Sequence, residues 1–247
     1  MYFRYEGLKT LSKVESPYEM FKKLNVLLVR HGESVSNALR KKLKEEGKLL
    51  DEDQKMEDAK IELSQNGINQ SKVIGEKLSD FLNLSDASEK EKTLVLVSPF
   101  ERARETFENA NEFMQFDFES DNVFVLNELR EQSYGAFSMI DREIKRKNYG
   151  NIYDECQKST LSYFKPQFLG ESPADVSARL ERVSSFIKEI MKKKDIKNVI
   201  IFGHRNVNKC LMMNILNLPA EFYDDFEDDK TASVLNVKNG KFNDLKF

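Results

Sequence analysis

The chain contains two histidines, and each stands just past a short apolar run rich in β-branched residues. Asn25 to Val29 leads into Arg30-His31-Gly32-Glu33, with Asn37 four residues beyond the glutamate, and Asn198 to Phe202 leads into Gly203-His204. Two further runs of this kind, Thr93 to Val97 and Val123 to Leu126, deliver Ser98-Pro99-Phe100-Glu101-Arg102 and Glu128-Leu129-Arg130-Glu131. Imidazoles, guanidiniums and carboxylates gathered at run ends suit phosphoryl transfer. A phosphoryl dianion spreads its charge over peripheral oxygens, and planar forks such as those of Arg30 and Arg102 bind two oxygens at once in fixed geometry. A neutral imidazole is a competent nucleophile towards phosphorus, and a phosphorylated histidine divides hydrolysis into two easier steps; His31 is the candidate. The departing oxygen needs a proton and the later attacking water needs a base, tasks that one carboxyl group performs in turn. Glu131 is the candidate for both, with Glu128 as its rival. His204 would donate a preorganised hydrogen bond to the phosphoryl oxygens. This chemistry calls for neither a metal nor a cofactor.

These residues share one rim only if the four runs are strands of one sheet. Each run is followed by polar residues and a helical pattern, the alternation of a parallel sheet covered on both faces. In such sheets ligands sit at the carboxyl ends of the strands. Two helices are read from apolar spacing, Asn66 to Leu82 and Ala174 to Met191. Pro99 and Pro173 are expected in first turns, where a missing N–H costs nothing. The expected fold is a three-layer α/β sandwich with a predominantly parallel central sheet and a helical cap. Residues 1 to 24 read as an N-terminal extension and 25 to 247 as one domain, with the cap inserted at about 133 to 169.

A chain of 247 residues with 40% hydrophobic and 33% charged residues is too apolar for disorder and too charged for a membrane bundle. Lys and Arg number 39 against 42 Asp and Glu, a net charge of -3, so nucleic acid is not the expected partner. Cys156 and Cys210 form no disulfide framework or metal-ligand spacing. No apolar window reaches membrane-spanning length and the N-terminus lacks a signal-peptide pattern, so a cytoplasmic protein with reduced thiols is expected. The expected partner is a small phosphorylated substrate or a phosphoprotein, not a membrane; oligomeric state is not readable.

The motifs resemble those of the histidine phosphatase superfamily, also called phosphoglycerate-mutase-like, over residues 25 to about 215. Its opening signature stands as Arg30, His31, Gly32, Glu33 and Asn37. A second element is Leu63, Ser64, Gly67 and Gln70, a third Ser98, Pro99, Arg102, Ala103 and Thr106, and a fourth Gly170, Glu171, Ser172, Asp175 and Val176. The resemblance selects Glu131, four residues before Gly135, over Glu128 as acid/base, and makes His204 the second catalytic histidine. It implies phosphate binding by Arg30, Arg102 and His204, with Asn37 either a further phosphate contact or part of the scaffold. Arg205 stands where the family often has glycine and is a candidate substrate contact, and Ala136 to Ile140 replaces a small-residue-plus-Trp pattern. The short cap favours a phosphatase branch over the mutases. A mutase, or a phospholigand-binding scaffold with little turnover, remains an alternative.

Other features have plainer readings. Glu33 reads as a solvated acid at a helix start, Ser98 as a helix cap, and Arg104 as a solvated side chain. Lys145 to Lys147 reads as a solvated face, with steering of substrate phosphate second. The acidic run Glu221 to Asp229 reads as a solvated loop, and Phe107, Phe113, Phe116 and Phe118 as core on one helix.

Overall fold

A computed structural model describes residues 18–50, 56–158, 161–226 and 230–245. Its strands are β1 Asn25–Arg30, β2 Thr93–Val97, β3 Val123–Val125, β4 Asn198–Gly203, β5 Val234–Lys238 and β6 Lys241–Leu245. Its helices are α1 Val35–Glu45, α2 Gln65–Leu82, α3 Ala87–Glu91, α4 Glu101–Met114, α5 Arg142–Cys156, α6 Pro173–Met191, α7 Arg205–Leu216 and α8 Phe222–Asp225. One sheet runs β3-β2-β4-β1-β5-β6. The four runs expected as strands are its parallel part, so their carboxyl ends meet along one edge.

Strands β1, β2 and β4 are buried along their whole length because helices cover both faces. Alternation along β1 sends Val26 and Leu28 to one core and Leu27 and Val29 to the other. The first core is closed by Val176, Leu180, Val183 and Ile187 of α6 and by Val207, Leu211 and Ile215 of α7. The second is closed by Ile74, Leu78 and Leu82 of α2 and by Phe107, Ala110 and Met114 of α4. Tyr18, Phe21 and Leu24 pack into the first core, so the part of the expected extension that is described is integral to the domain; residues 1–17 lie outside the described residues.

Several expectations need correction. The sheet ends in an antiparallel hairpin beyond the four expected strands: β5 pairs with β1 and β6 with β5. Asn239 and Gly240 both have positive φ, 52° and 71°, the backbone of a two-residue type I′ turn. Strand β6 is partly exposed and polar, which hid it from a search for apolar runs. Pro99 lies outside α4, because Phe100 is the N-cap and the helix begins at Glu101. Pro173 does occupy the first turn of α6, behind a capping box of Ser172 and Asp175. Helix α4 ends at Met114, so Phe116 and Phe118 are not on it; Phe113 and Phe118 are 42% and 56% exposed, whereas Phe107 and Phe116 are buried. The cap is helical but broken: a short 3-10 turn over Gly135–Phe137, then α5 kinked at Gly150, then a second turn over Ser162–Phe164. In the acidic run, Asp224 accepts the Ser162 N–H at 3.1 Å, and residues 227–229 lie outside the described residues. Among the described residues no helix is long and apolar enough to cross a membrane.

Helices α2 and α4 pack closely where Gly75 meets Ala110. A Cβ at Gly75 would lie 2.2 Å from the Ala110 carbonyl oxygen, a backbone atom that cannot swing aside. Alanine ordinarily gains about 1 kcal/mol over glycine within a helix. Here overpacking outweighs that gain, and Gly75→Ala is expected to destabilise the domain by about 1–2 kcal/mol. Thermal unfolding checks the sign: the melting temperature should fall by several degrees rather than rise.

Candidate active site

Parallel pairing of β1 with β4 creates the centre of the site. Arg30 stands opposite Gly203 in the register, and the His31 N–H donates to the Gly203 carbonyl at 3.1 Å. The residues that follow, His31 and His204, are therefore neighbours, their ring centroids 5.3 Å apart and the planes at 61°. Both are buried. His31 Nδ1 lies 2.7 Å from the Gly32 carbonyl, an acceptor only, so Nδ1 carries the proton and Nε2 keeps its lone pair. His204 Nε2 lies 2.7 Å from Ser98 Oγ, at the end of the neighbouring β2. His204 Nδ1 is buried and has no hydrogen-bond partner among the described residues. Burial holds both imidazoles well below the usual histidine pKa, and the charge of Arg102 pushes the same way. Both are neutral near neutral pH, the state a nitrogen nucleophile requires.

The arginines are held by oxygens. Arg102, 5% exposed, donates from one nitrogen to the Asp58 carbonyl at 2.6 Å and sits 3.0 Å from the Asp58 carboxylate. Its guanidinium also lies over the Phe100 ring, 5.1 Å from the centroid. Arg30, 9% exposed, donates to the Lys230 carbonyl at 3.0 Å on the approach to β5. The loop after β1 is pinned to two helices: the Gly32 N–H donates to Thr106 Oγ1 at 3.0 Å and the Glu33 N–H to Gln70 Oε1 at 2.8 Å. Such close crossing needs glycine on both sides, since a Cβ at Gly67 would lie 2.0 Å from the Glu33 carbonyl oxygen and one at Gly32 2.5 Å from that of Gly67.

Glu131 reaches the site on a segment clamped from α6. Arg179 donates to the Glu171 carboxylate at 2.9 Å and to the carbonyls of Glu128 and Arg130. Glu171 in turn accepts from Arg130 at 2.7 Å and from the Ser133 N–H at 2.9 Å. Burial raises the Glu131 pKa above the usual carboxyl value, against the opposing pull of the Gln132 N–H and Arg102. Glu128 points elsewhere, 3.6 Å from Arg182. Glu131, not Glu128, lines the same cavity as His31.

These groups open into a cavity of about 410 Å³ whose wall includes Arg30, His31, Asn37, Arg102, Glu131 and Arg205. His204 is fully buried beside His31. Asn37 lies on the wall, but its Oδ1 already accepts from the Ser34 N–H at 3.1 Å and Ser34 Oγ at 2.9 Å, closing the capping box of α1. Three readings change. Glu33 is not merely solvated: it accepts from Ser64 Oγ at 2.7 Å, joining the first loop to the start of α2. Ser98 does not cap α4 but holds His204. Lys145 is not part of a solvated face, for it lines the cavity half-buried over the Tyr134 and Phe137 rings, while Arg146 and Lys147 are exposed. Arg104 is exposed as expected, near Glu101 and Glu108. Asp58, Tyr134 and Asn206 were missed; Tyr134 Oη and Asn206 Nδ2 lie 2.5 Å apart on the wall. Only Tyr134, next to Gly135, carried a motif signal. Both cysteines are free, and among the described residues no group of three His, Cys, Asp or Glu could hold a metal ion.

The raised Glu131 pKa bears on stability. The folded carboxyl ionises less readily than the unfolded one, so ionisation costs stability once the pH exceeds the unfolded value, and the cost is complete above the folded value. Glu131→Gln removes that cost. Denaturant midpoints should be higher for the variant at neutral pH, with the difference shrinking as the pH falls through the carboxyl range.

Comparison with known proteins identifies the family and the fold. Residues 26–243 match the sequence model of the histidine phosphatase superfamily (branch 1). Phosphoglycerate mutase-like protein AT74 of Arabidopsis thaliana is 24% identical over an alignment 241 residues long that covers 90% of this chain and 67% of that protein. The alpha-ribazole phosphatase of Shigella flexneri superposes with a TM-score of 0.63 at 23% identity, over 89% of this chain and 93% of its own. A mycobacterial glucosyl-3-phosphoglycerate phosphatase solved with VO3 gives 0.64 at 17% identity, over 91% and 98%. The last two show the shared fold. The matched span takes in both histidines and nearly the whole sheet, and the chain belongs to the histidine phosphatase superfamily, branch 1.

Proposed function

We propose that the chain is a phosphomonoester hydrolase working through a phosphohistidine at His31. The observation that carries the reading is the hydrogen bond from His31 Nδ1 to the Gly32 carbonyl, which leaves the Nε2 lone pair at a cavity lined by Arg30 and Arg102. Both structural neighbours described above are named as phosphatases, which supports it.

A phosphomonoester dianion enters with its peripheral oxygens on the Arg30 and Arg102 guanidiniums. Ser98 Oγ accepts the Phe100 N–H at 3.3 Å, so its own hydrogen can go to His204 Nε2, which places the imidazole proton on Nδ1. That N–H, buried without an acceptor among the described residues, donates to a phosphoryl oxygen. His31 Nε2 attacks phosphorus as the ester P–O bond breaks, and Glu131, whose burial favours the protonated form, gives its proton to the departing alkoxide. The Glu131 carboxylate then takes a proton from the attacking water as the P–N bond breaks. Phosphate leaves, and neutral His31 and protonated Glu131 are restored.

Phosphate release from phenyl phosphate and a panel of metabolite phosphates, with chelator present, tests the proposal. His31→Ala should lose activity by roughly a thousandfold or more. Full activity in that variant would end the reading, and phosphate moved within a sugar acid without net release would favour a mutase. Glu131→Gln separates the proton-transfer role. Its kcat/KM, which reports the phosphorylation step, should fall by roughly 10²–10⁴-fold for alkyl phosphates and far less for nitrophenyl phosphate, whose leaving group needs no proton.

A further inference from the structure

Asp58 and Glu131 both line the catalytic cavity, and the proposed reaction asks opposite things of their carboxyl groups. Glu131 has to hold a proton for the leaving oxygen, so no cation can pair with it in the free enzyme. Arg102 lines the same cavity and is 5% exposed, and a guanidinium so buried needs a counter-ion. Among the described residues Arg102 and Glu131 form no ion pair; the counter-ion is Asp58. Both contacts fall on one nitrogen, for Arg102 Nη1 donates to the Asp58 carbonyl at 2.6 Å and lies 3.0 Å from Asp58 Oδ1. Nη2 and Nε of Arg102 make no hydrogen bond among the described residues, so that edge of the fork is left for phosphoryl oxygens.

Asp58 can do this because its segment is hooked to the helix that bears Arg102. It opens a 3-10 turn over Asp58–Lys60, beyond which Ile61 and Leu63 are buried. The Leu63 N–H donates at 2.6 Å to the carboxylate of Glu105, in the turn of α4 that follows Arg102. We propose that Asp58 is a positioning residue for the acid: as the counter-ion of Arg102 it keeps that guanidinium from pairing with Glu131, while the other edge of the fork stays open to the phosphoryl group. This rests on the phosphohistidine mechanism proposed above. The electrostatics point the same way. Burial lifts the Glu131 carboxyl above its usual value, the Gln132 N–H and Arg102 pull it down, Asp58 pushes it up, and Arg30 pulls it down. Burial keeps the protons on Tyr134, Tyr223 and Cys210 near it, so those groups bring no charge.

Asp58→Asn keeps the shape and the carbonyl contact but removes the charge. The test compares pH profiles of kcat/KM for nitrophenyl phosphate and for the most readily hydrolysed alkyl phosphate of the metabolite panel. Only the alkyl ester needs the acid, so its profile should fall at high pH as Glu131 ionises, and in Asp58→Asn that fall should begin about one pH unit lower. Above it the alkyl-to-nitrophenyl ratio should drop about tenfold, the loss of protonated acid that one pH unit entails. Each ratio is taken within one preparation, so a loss of folded enzyme cancels. Asp58→Glu, which keeps the charge, should hold the fall near its original position, and in a Glu131→Gln background Asp58→Asn should leave the ratio unchanged. A fall that stays in place in Asp58→Asn, losses equal on the two esters at every pH, or a ratio that still drops in the Glu131→Gln background overturns the positioning role. His31→Ala reads the mechanism independently: if it abolishes hydrolysis while Asp58→Asn leaves the profile in place, this inference alone fails. Full activity in His31→Ala overturns both.

Discussion

The structure is organised around one unfavourable arrangement: two guanidiniums packed about two buried imidazoles at the edge of a low-dielectric core. Positive charge so placed repels itself and resists removal from water. The fold answers with fixed oxygens. Arg102 is held by the carbonyl and carboxylate of Asp58, and Arg30 by the carbonyl of Lys230. The imidazoles answer by staying neutral, since burial and the nearby arginines both disfavour their protonation. What results is a region preorganised for a dianion, where charge stabilisation requires little rearrangement.

Almost every supporting contact serves to keep that arrangement rigid. The β1–β4 register sets the two histidines side by side, and the segment before β5 fastens the end of β1 through the Ser233 and His31 carbonyls. Helices α2 and α4 grip the loop after β1 through Gln70 and Thr106, with Gly32 and Gly67 allowing the close approach. From the other face, Arg179 and Glu171 hold the strip that carries Glu131. Glu131 is thus presented on a clamped segment and not on a free loop, which suits the proton-donor role proposed for it.

The parallel strands were legible because each is a buried, β-branched run, and burial on both faces leaves a continuous apolar signal. The residues directly after them were legible for the same reason, as strand ends are where topology must put them. Long-range pairings were not. Nothing in the spacing of Asp58, Lys145 or Tyr134 places them beside His31; those positions follow from how the cap and the 56–62 segment fold back across the sheet edge. Asn37 and Ser98 show a further limit, because a polar residue near a site can be bound up in capping a helix or orienting an imidazole. The hairpin of β5 and β6 had a local signal in Asn239-Gly240, but β6 lacks the apolar run that marks the parallel strands.

The proposed mechanism turns on phosphorylation of His31 Nε2. Rapid mixing with a phosphomonoester, quenching in alkali where phosphohistidine survives, and mass-spectrometric mapping of the phosphorylated peptide measures this directly. The account predicts one phosphorylated residue, His31, formed before phosphate release and decaying as phosphate appears. Phosphate on His204 or on a carboxylate, or turnover in which no phosphoenzyme forms on any time scale resolved, would contradict it.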